Sequence, residues 1–240
     1  MAQHAARLLA FDTSTEVLSV AVRHGDHLIA REAAGGAQAS ATLIPLIQSL
    51  LAEASLALRD LDAIAFGRGP GSFTGLRTAC AVAQGLAFGA GLRLLPVDTL
   101  LAVAEQARRA HGARRVVALL DARMDQVYAG RYDFSGLADG QLPPPAEPQL
   151  LAPEDVFAGA DWALAGNAFE AYGERLPAGA ARFPALPGAV AMLELAPAML
   201  AQGLDVAAAD AWPLYVRDKV ALTTAEREAA KAAAVAPSSP

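Results

Sequence analysis

The sequence is short of the residues that build cross-linked or metal-held folds. It has one cysteine, Cys80, and four histidines in 240 residues. A single cysteine cannot form an intramolecular disulfide, and a structural zinc site needs several cysteine or histidine ligands. Hydrophobic residues make up 54% of the chain and aromatic residues only 6%, which favours closely packed helices over aromatic clusters. This composition predicts a globular protein of a reducing, cytoplasmic compartment.

Long apolar runs and an excess of basic charge are also lacking. The first apolar stretch, residues 8–11, ends at Asp12 and is too short for the hydrophobic region of a signal peptide. The most apolar later stretch, residues 79–91, contains Gln84 and falls short of the about 20 residues that cross a bilayer. The net charge of −6 provides no broad basic field of the kind that attracts nucleic acid. We therefore expect no membrane association, and contact with nucleic acid only through a partner.

Strand-like and helix-like segments follow one another in a recognisable order in the first part of the chain. Strands are predicted over residues 8–11, 17–23, 28–32, 63–66 and 94–97. Helices are predicted over 40–54 and 74–88. The resulting order, βββαβαβ, predicts a mixed sheet covered by helices, an α/β arrangement typical of ribonuclease H-like lobes.

A second lobe is expected to begin after a helix that Asp98 or Thr99 caps and that runs to about residue 109. Strands over 116–120 and 127–132 begin this lobe, and we place the boundary near residue 104, which gives lobes over 1–104 and 105–222. Residues 137–153 are rich in proline and glycine and predict a surface loop. A strand over 162–165 and a helix over 190–202 follow, and residues 223–240 predict a flexible tail.

The most informative stretch is the glycine-rich turn over residues 67–77, between a predicted strand and a predicted helix. Its glycines permit close backbone approach, and the start of the following helix, with Arg68 and Arg77 nearby, offers donors for an anion. The alternative is a tight crossover in which Ser72 or Thr74 caps the helix and Arg77 pairs with a carboxylate. The Gly-Lys-Ser/Thr ending of a Walker loop is missing, which favours this structural alternative over nucleotide binding.

The turn resembles the signature of the TsaB (YeaZ) family, and three other motifs agree in order and spacing. They are residues 11–15 near the start, 120–128 in mid-chain and 212–217 near the end. The resemblance implies two ribonuclease H-like lobes of the actin-like ATPase (ASKHA) superfamily. It also implies a non-catalytic scaffold that binds and activates a TsaD-type transferase in the synthesis of N6-threonylcarbamoyladenosine (t6A) in tRNA. A TsaE-type ATPase is a further partner, tRNA is contacted only indirectly, and the chain alone forms a homodimer.

In the family, the complex is expected to use ATP, a metal ion and threonylcarbamoyl-adenylate, with none of them bound by this chain alone. Residues 12–15 occupy the position where actin-like ATPases place their first phosphate loop. At the second such position Arg123 and Met124 stand in place of glycine and would crowd a nucleotide, although Arg123 could contact an anion. The residues predicted to lie near an anion or nucleotide are Asp12, Thr13, Ser14, Thr15, Arg68, Ser72, Arg77 and Arg123.

Histidines are missing from the predicted helix over 40–54, where the transferase TsaD carries a metal-binding pair four residues apart. The histidines present are His4, His24, His27 and His111. The sequence therefore predicts no metal site and no catalytic residue. The rival reading is an ATP-dependent kinase or hydrolase with this fold, and a third is a homodimer with another role.

A partner is expected on the two helices of the first lobe. The first helix has apolar residues on more than one face, and the second has rows of small residues at four-residue spacing, which let another helix approach closely. Small residues also serve packing within a chain, so that alternative stays open. The residues predicted to bind the partner are Leu43, Ile47, Leu50, Ala79, Ala83, Gly85 and Ala87. A basic group, Arg108, Arg109, Arg114 and Arg115, could contact RNA or simply end a helix.

Overall fold

The computed structural model describes residues 6–138 and 140–217, and they form two five-stranded mixed sheets. The first sheet consists of β1 (Arg7–Asp12), β2 (Val17–His24), β3 (His27–Ala34), β4 (Ala63–Gly69) and β5 (Arg93–Asp98). Its order is β3-β2-β1-β4-β5. The first three strands pair antiparallel, whereas β4 pairs parallel with both β1 and β5.

The second sheet repeats this plan. It consists of β6 (Arg115–Arg123), β7 (Gln126–Asp133), β8 (Gln149–Leu151), β9 (Ala163–Gly166) and β10 (Arg182–Pro184), in the order β10-β9-β6-β7-β8. Again three strands pair antiparallel, and β9 pairs parallel with β6 and β10. The same topology in both halves confirms the predicted pair of ribonuclease H-like lobes. Strand β8 lies inside the stretch 137–153, which was predicted wrongly to be loop throughout.

The helices are α1 (Ala39–Glu53), α2 (Phe73–Ala90), α3 (Thr99–His111), the short α4 (Phe169–Tyr172) and α5 (Ala189–Ala201). Strand β1 shows why the first sheet needs a helix layer on each side, because its residues alternate between two apolar cores. Leu9 and Phe11 belong to the core beneath α1 and α2, while Leu8 and Ala10 belong to the core beneath α5. None of the described helices is long and apolar enough to cross a membrane.

Helices α3 and α5 do not follow the predicted division of the chain. Residue 104 falls in the middle of α3, whose Leu100, Val103 and Ala107 pack on the second sheet. Helix α5 lies in the second half of the chain, yet Met192 and Leu193 pack on the first sheet. The predicted lobes over 1–104 and 105–222 therefore need correction, because the uncovered face of the first sheet takes its helix from later in the chain. The predicted tail, 223–240, lies outside the described residues.

Candidate functional site

Helix α1 buries the residues that were predicted to bind a partner. Leu43, Ile47 and Leu50 have relative exposures of 0%, 1% and 1%. They pack in the core between α1 and the first sheet. The prediction is wrong for these residues, because the sheet needs their apolar side chains on its own face. The outer face of α1 instead presents Ile44, 41% exposed, and the exposed Pro45.

Helix α2 likewise buries one of its two rows of small residues and exposes the other. Ala79, Ala83 and Ala87 are buried in the core of the first lobe, so the prediction that they bind a partner is wrong as well. Gly85 is exposed, and a Cβ atom built on it would meet nothing within 4 Å. Beside it Phe88 is 86% exposed. We call Ile44, Pro45, Gly85, Phe88 and Gly89 the outer helix face.

Phe88 was not predicted to bind a partner, although its position in the sequence indicates that it lies on the exposed side of α2. It lies three residues after Gly85 and so on the same side of the helix. A large aromatic side chain on the row that does not face the sheet is unusual for a helix whose other row already fills the core. Gly85 remains a predicted partner contact, and Ile44 and Phe88 join it.

The phosphate-loop position, residues 12–15, is a buried turn held by hydrogen bonds within the chain. Asp12 Oδ1 accepts from the Ser14 backbone N–H at 2.8 Å and from Ser14 Oγ at 2.6 Å. Thr13 Oγ1 donates to the Gly75 carbonyl at 2.7 Å, and the Ser72 N–H donates to the Ser14 carbonyl at 2.8 Å. The polar groups of this turn are therefore satisfied partly within the turn and partly by the start of α2.

The glycines of the signature permit this close approach of the chain to itself. A Cβ atom at Gly75 would lie 1.9 Å from the Thr13 carbonyl oxygen, and one at Gly71 would lie 2.6 Å from Ser14 Cβ. Larger residues at these positions would force the two turns apart. These close contacts support the alternative in which the glycine-rich turn is a tight crossover between β4 and α2.

Asp12 is the one fully buried carboxylate of this region. Among the described residues its Oδ2 atom has no hydrogen-bond partner, and a Cβ atom at Gly67 would lie 1.8 Å from it. Burial raises the pKa of Asp12 to about 6, although the hydrogen bonds from Ser14 act in the opposite direction. The carboxylate lies beneath the cleft rather than on its surface.

The arginines of the signature take different partners from those expected. Arg68 Nε pairs with Asp98 Oδ1 at 2.5 Å. The Arg77 guanidinium lies 3.8 Å from the Phe73 ring centre and donates from Nε to the Tyr215 hydroxyl at 3.1 Å. Ser72 occupies the cap position of α2 without a side-chain cap bond. The expected carboxylate partner of Arg77 is thus replaced, within the described residues, by two aromatic rings.

The turn between β6 and β7 stands at the second phosphate-loop position and has an unusual backbone. Arg123, Met124 and Asp125 have φ angles of 61°, 55° and 56°, which is the left-handed region that non-glycine residues rarely adopt. The Arg123 side chain is 81% exposed, and its Nη1 lies 3.2 Å from Asp121 Oδ2. The Arg123 N–H also donates to Asp121 Oδ1 at 2.7 Å. Three residues with side chains, rather than glycines, therefore form this turn.

A cleft of about 410 Å³ separates the two turns. Of the predicted anion-proximal residues, Ser14, Thr15, Ser72 and Arg123 line it, whereas Asp12 and Thr13 are buried next to it and Arg68 and Arg77 lie outside its lining. Residues 214–217 also line it, and sequence reasoning gave them no role. Among the described residues, no group of three His, Cys, Asp or Glu side chains is placed to hold a metal ion.

Three arginines of the predicted basic group form ion pairs within the chain. Arg108, Arg109 and Arg115 pair with Glu105, Glu194 and Asp133 respectively. His24 and His27 face each other across the β2–β3 turn. The ion pairs favour the structural alternative for the basic group, and His4 lies outside the described residues.

The chain matches known proteins in sequence over most of its length. Residues 33–225 match the model of the TsaD family of tRNA N6-adenosine threonylcarbamoyltransferases. The chain is 36% identical over 231 residues to the tRNA threonylcarbamoyladenosine biosynthesis protein TsaB of Escherichia coli, covering 90% of this chain and 96% of that protein. The chain belongs to the TsaB (YeaZ) family. The Haemophilus influenzae TsaB is 38% identical over 229 residues, covering 89% of this chain and 94% of that protein.

A solved structure of this family has the same fold. YeaZ from Pseudomonas aeruginosa superposes with a TM-score of 0.80 at 42% sequence identity, covering 88% of this chain and 99% of that one. The whole length of that structure is thus matched, including both sheets. The fold and the family are those that the motifs over 11–15, 67–77, 120–128 and 212–217 predicted.

Proposed function

We propose that this chain is a non-catalytic subunit of t6A synthesis in tRNA, which binds and activates a TsaD-type transferase through the outer helix face. The observation that carries the proposal is the exposure of Phe88, at 86%, beside Gly85 on α2, together with that of Ile44, at 41%, on α1. An exposed aromatic ring beside a flat glycine surface is suited to packing against helices of a partner. The names of the relatives from Escherichia coli and Haemophilus influenzae support a role in t6A synthesis.

The transferase is the partner that this reasoning favours, because the chain also matches the TsaD family model. Related lobes can present related helix pairs, and two such pairs can pack as a four-helix bundle. The same face would join two copies of this chain when the transferase is absent. In this proposal the TsaE-type ATPase and tRNA join through the assembled complex in the cytoplasm, and ATP, a metal ion and threonylcarbamoyl-adenylate are used by the complex.

The test compares two exposed phenylalanines. We expect Phe88→Arg to weaken association with the TsaD-type transferase of the same organism by at least about 100-fold, the scale of a hot-spot residue. The matched control, Phe157→Arg, changes a 72% exposed ring on the second lobe and should associate like the unchanged chain. Association is measured by calorimetry and size-exclusion chromatography. Equal effects of the two substitutions, or none, would exclude the outer helix face.

Both variants should remain folded, because substitutions of exposed side chains usually change stability by no more than about 0.5 kcal/mol. Thermal melting followed by circular dichroism checks this. A loss of the melting transition in Phe88→Arg would mean that the ring is part of the first lobe and not of an interface.

The rival function, an ATP-dependent kinase or hydrolase, has one observation in its favour, the cleft with Asp12 beneath it. The turn at Arg123 and Met124 argues against it, because long side chains stand where a phosphate loop needs close backbone approach. We expect no ATP hydrolysis by the isolated chain and no Mg-ATP binding at micromolar concentration. Isothermal calorimetry with Mg-ATP measures this, and micromolar binding that Asp12→Asn abolishes would support the enzyme instead.

A further inference from the structure

The motif over residues 212–217 has no role in the proposed function, yet its contacts reach both lobes. We call residues 211–217 the strap. Part of it lines the cleft between the lobes, together with the turn after β1 and the turn between β6 and β7. It has no regular secondary structure, so its position depends on individual contacts.

Backbone groups tie the beginning of the strap to the first lobe. The Ala211 carbonyl accepts hydrogen bonds from Gln84 Nε2 at 3.0 Å and from Cys80 Sγ at 3.4 Å, both on α2. The Leu214 N–H donates to the Arg68 carbonyl at 2.7 Å. These contacts hold the strap along the middle of α2 and the end of β4.

Tyr215 adds a side-chain anchor on the same lobe. Its ring lies 5.3 Å from the Phe73 ring, and its hydroxyl accepts from Arg77 Nε at 3.1 Å. Arg77 in turn stacks on Phe73 at 3.8 Å. The three side chains form one cluster at the start of α2.

Arg217 anchors the end of the strap to the second lobe. Its Nη2 donates to the carbonyls of Ala122 at 2.9 Å and Arg123 at 3.2 Å, and its Nη1 lies 3.0 Å from Met124 Sδ. The three acceptors are the last two residues of β6 and the first residue of the β6–β7 turn, and Arg123 and Met124 have a left-handed backbone. A turn of fixed backbone presents its carbonyls in one direction, and the planar guanidinium can engage two of them at once.

The two anchors are close together along the chain. Only one residue separates Tyr215 from Arg217, and two residues span at most about 7 Å even when fully extended. The lobes therefore cannot separate at the cleft mouth by more than a few ångströms while both anchors persist. A second contact between the lobes is made by Glu194 of α5, which pairs with Arg23 of β2 and Arg109 of α3.

We propose that the strap holds the two lobes at a fixed separation across the cleft, and that Arg217 is the residue that locks it to the second lobe. The lock consists of hydrogen bonds to neutral carbonyls. Its removal should free the lobes to move relative to each other while each sheet stays folded.

Hydrogen–deuterium exchange of the full chain tests the lock. We compare the unchanged chain with Arg217→Met, which keeps an unbranched apolar side chain but loses every donor, and with the control Arg31→Met, whose partner Glu53 lies in the same lobe. Arg217→Met should accelerate exchange at least tenfold in the strap and in the cleft segments 72–76 and 120–124. Amides of β1 and of residues 115–119 of β6 should exchange as before. Acceleration confined to residues 215–217, or equal to the control, would overturn the proposal.

The separation of the lobes can be measured directly with spin labels at Asp26→Cys and Glu174→Cys, which are exposed on the first and second lobe. Cys80 is buried and should not react. The distance distribution should broaden in Arg217→Met and broaden less in Tyr215→Phe, which loses a hydrogen bond but keeps the ring. An unchanged distribution would overturn the proposal. So would unfolding of both sheets in both variants, because the strap would then be part of the core.

Discussion

The two halves of α2 have similar small residues and opposite surroundings. In the first half, Gly75 approaches the Thr13 carbonyl so closely that a Cβ atom would lie 1.9 Å from it, and the strap contacts Cys80. In the second half, Gly85 has nothing within 4 Å of a Cβ position, and Phe88 is 86% exposed. Small residues along a helix therefore indicate close approach of some neighbour, but not whether that neighbour belongs to the same chain.

The largest expected effect distinguishes the buried row of small residues on α2, Ala79, Ala83 and Ala87, from the exposed row that contains Gly85. Ala83 has no exposed surface, so Ala83→Arg would bury an unpaired charge and overfill the core. We expect a loss of more than about 4 kcal/mol in the free energy of unfolding, and with it the cooperative melting transition. Gly85→Arg, two residues along the same helix, should melt as a folded protein.

Circular dichroism of both purified chains measures this difference. Normal melting of Ala83→Arg would mean that the buried row can turn outward, and the buried assignment of Ala79, Ala83 and Ala87 would fail.

A smaller effect compares the two glycines. Gly75→Ala should lower the free energy of unfolding by about 3 kcal/mol, because the added methyl group overlaps the Thr13 carbonyl and separates α2 from the turn over 12–15. Gly85→Ala should raise it by about 1 kcal/mol, because alanine is the better helix former and the site is open. Denaturant titration of the two variants measures both values. Effects of the same sign would show that the two halves of the helix do not differ as described.

The smallest effect depends on pH and concerns the turn against which the first half of α2 packs. The pKa of Asp12 is raised from 3.8 to about 6, so the folded state holds this proton more tightly than the unfolded one. Its contribution to stability is therefore fully present below about pH 4 and is lost as the pH rises through 6. Asp12→Asn should remove this dependence, and the stability difference between the two chains should change by on the order of 2 kcal/mol over that range.

Denaturant unfolding at pH 4, 5, 6 and 7 follows this difference. A constant difference between Asp12→Asn and the unchanged chain would mean that Asp12 titrates as in an unfolded peptide, and hence that it is not enclosed beneath the cleft.

The strands, the glycine-rich turn and the duplicated lobes could be predicted because their signals are local. A continuous apolar run identifies β1, and glycine at 71 and 75 identifies a place where backbones meet. Strands β8 and β10 were overlooked because each has only three residues, Gln149–Leu151 and Arg182–Pro184. They are stabilised by pairing with β7 and β9 respectively.

Long-range choices could not be predicted in this way. Both rows of α2 consist of small residues, so nothing in the sequence decides which of them faces β4. The strap illustrates the same limit, because Tyr215 and Arg217 gain their partners from residues nearly a hundred positions or more away. Likewise, the composition of α5 indicates burial but not beneath which sheet.

The position of α5 affects how the chain must fold during its synthesis. The first sheet is complete at Asp98, but the helix that covers its second face ends only at Ala201. Ribosomes add about 5 to 20 residues per second, so the apolar side chains of Leu8, Ala10 and Val97 would stay exposed on the nascent chain for at least about 5 seconds. During that interval the core of the first lobe is incomplete, and its apolar side chains are accessible to chaperones. The core closes only when α5 emerges from the ribosome and packs on the sheet.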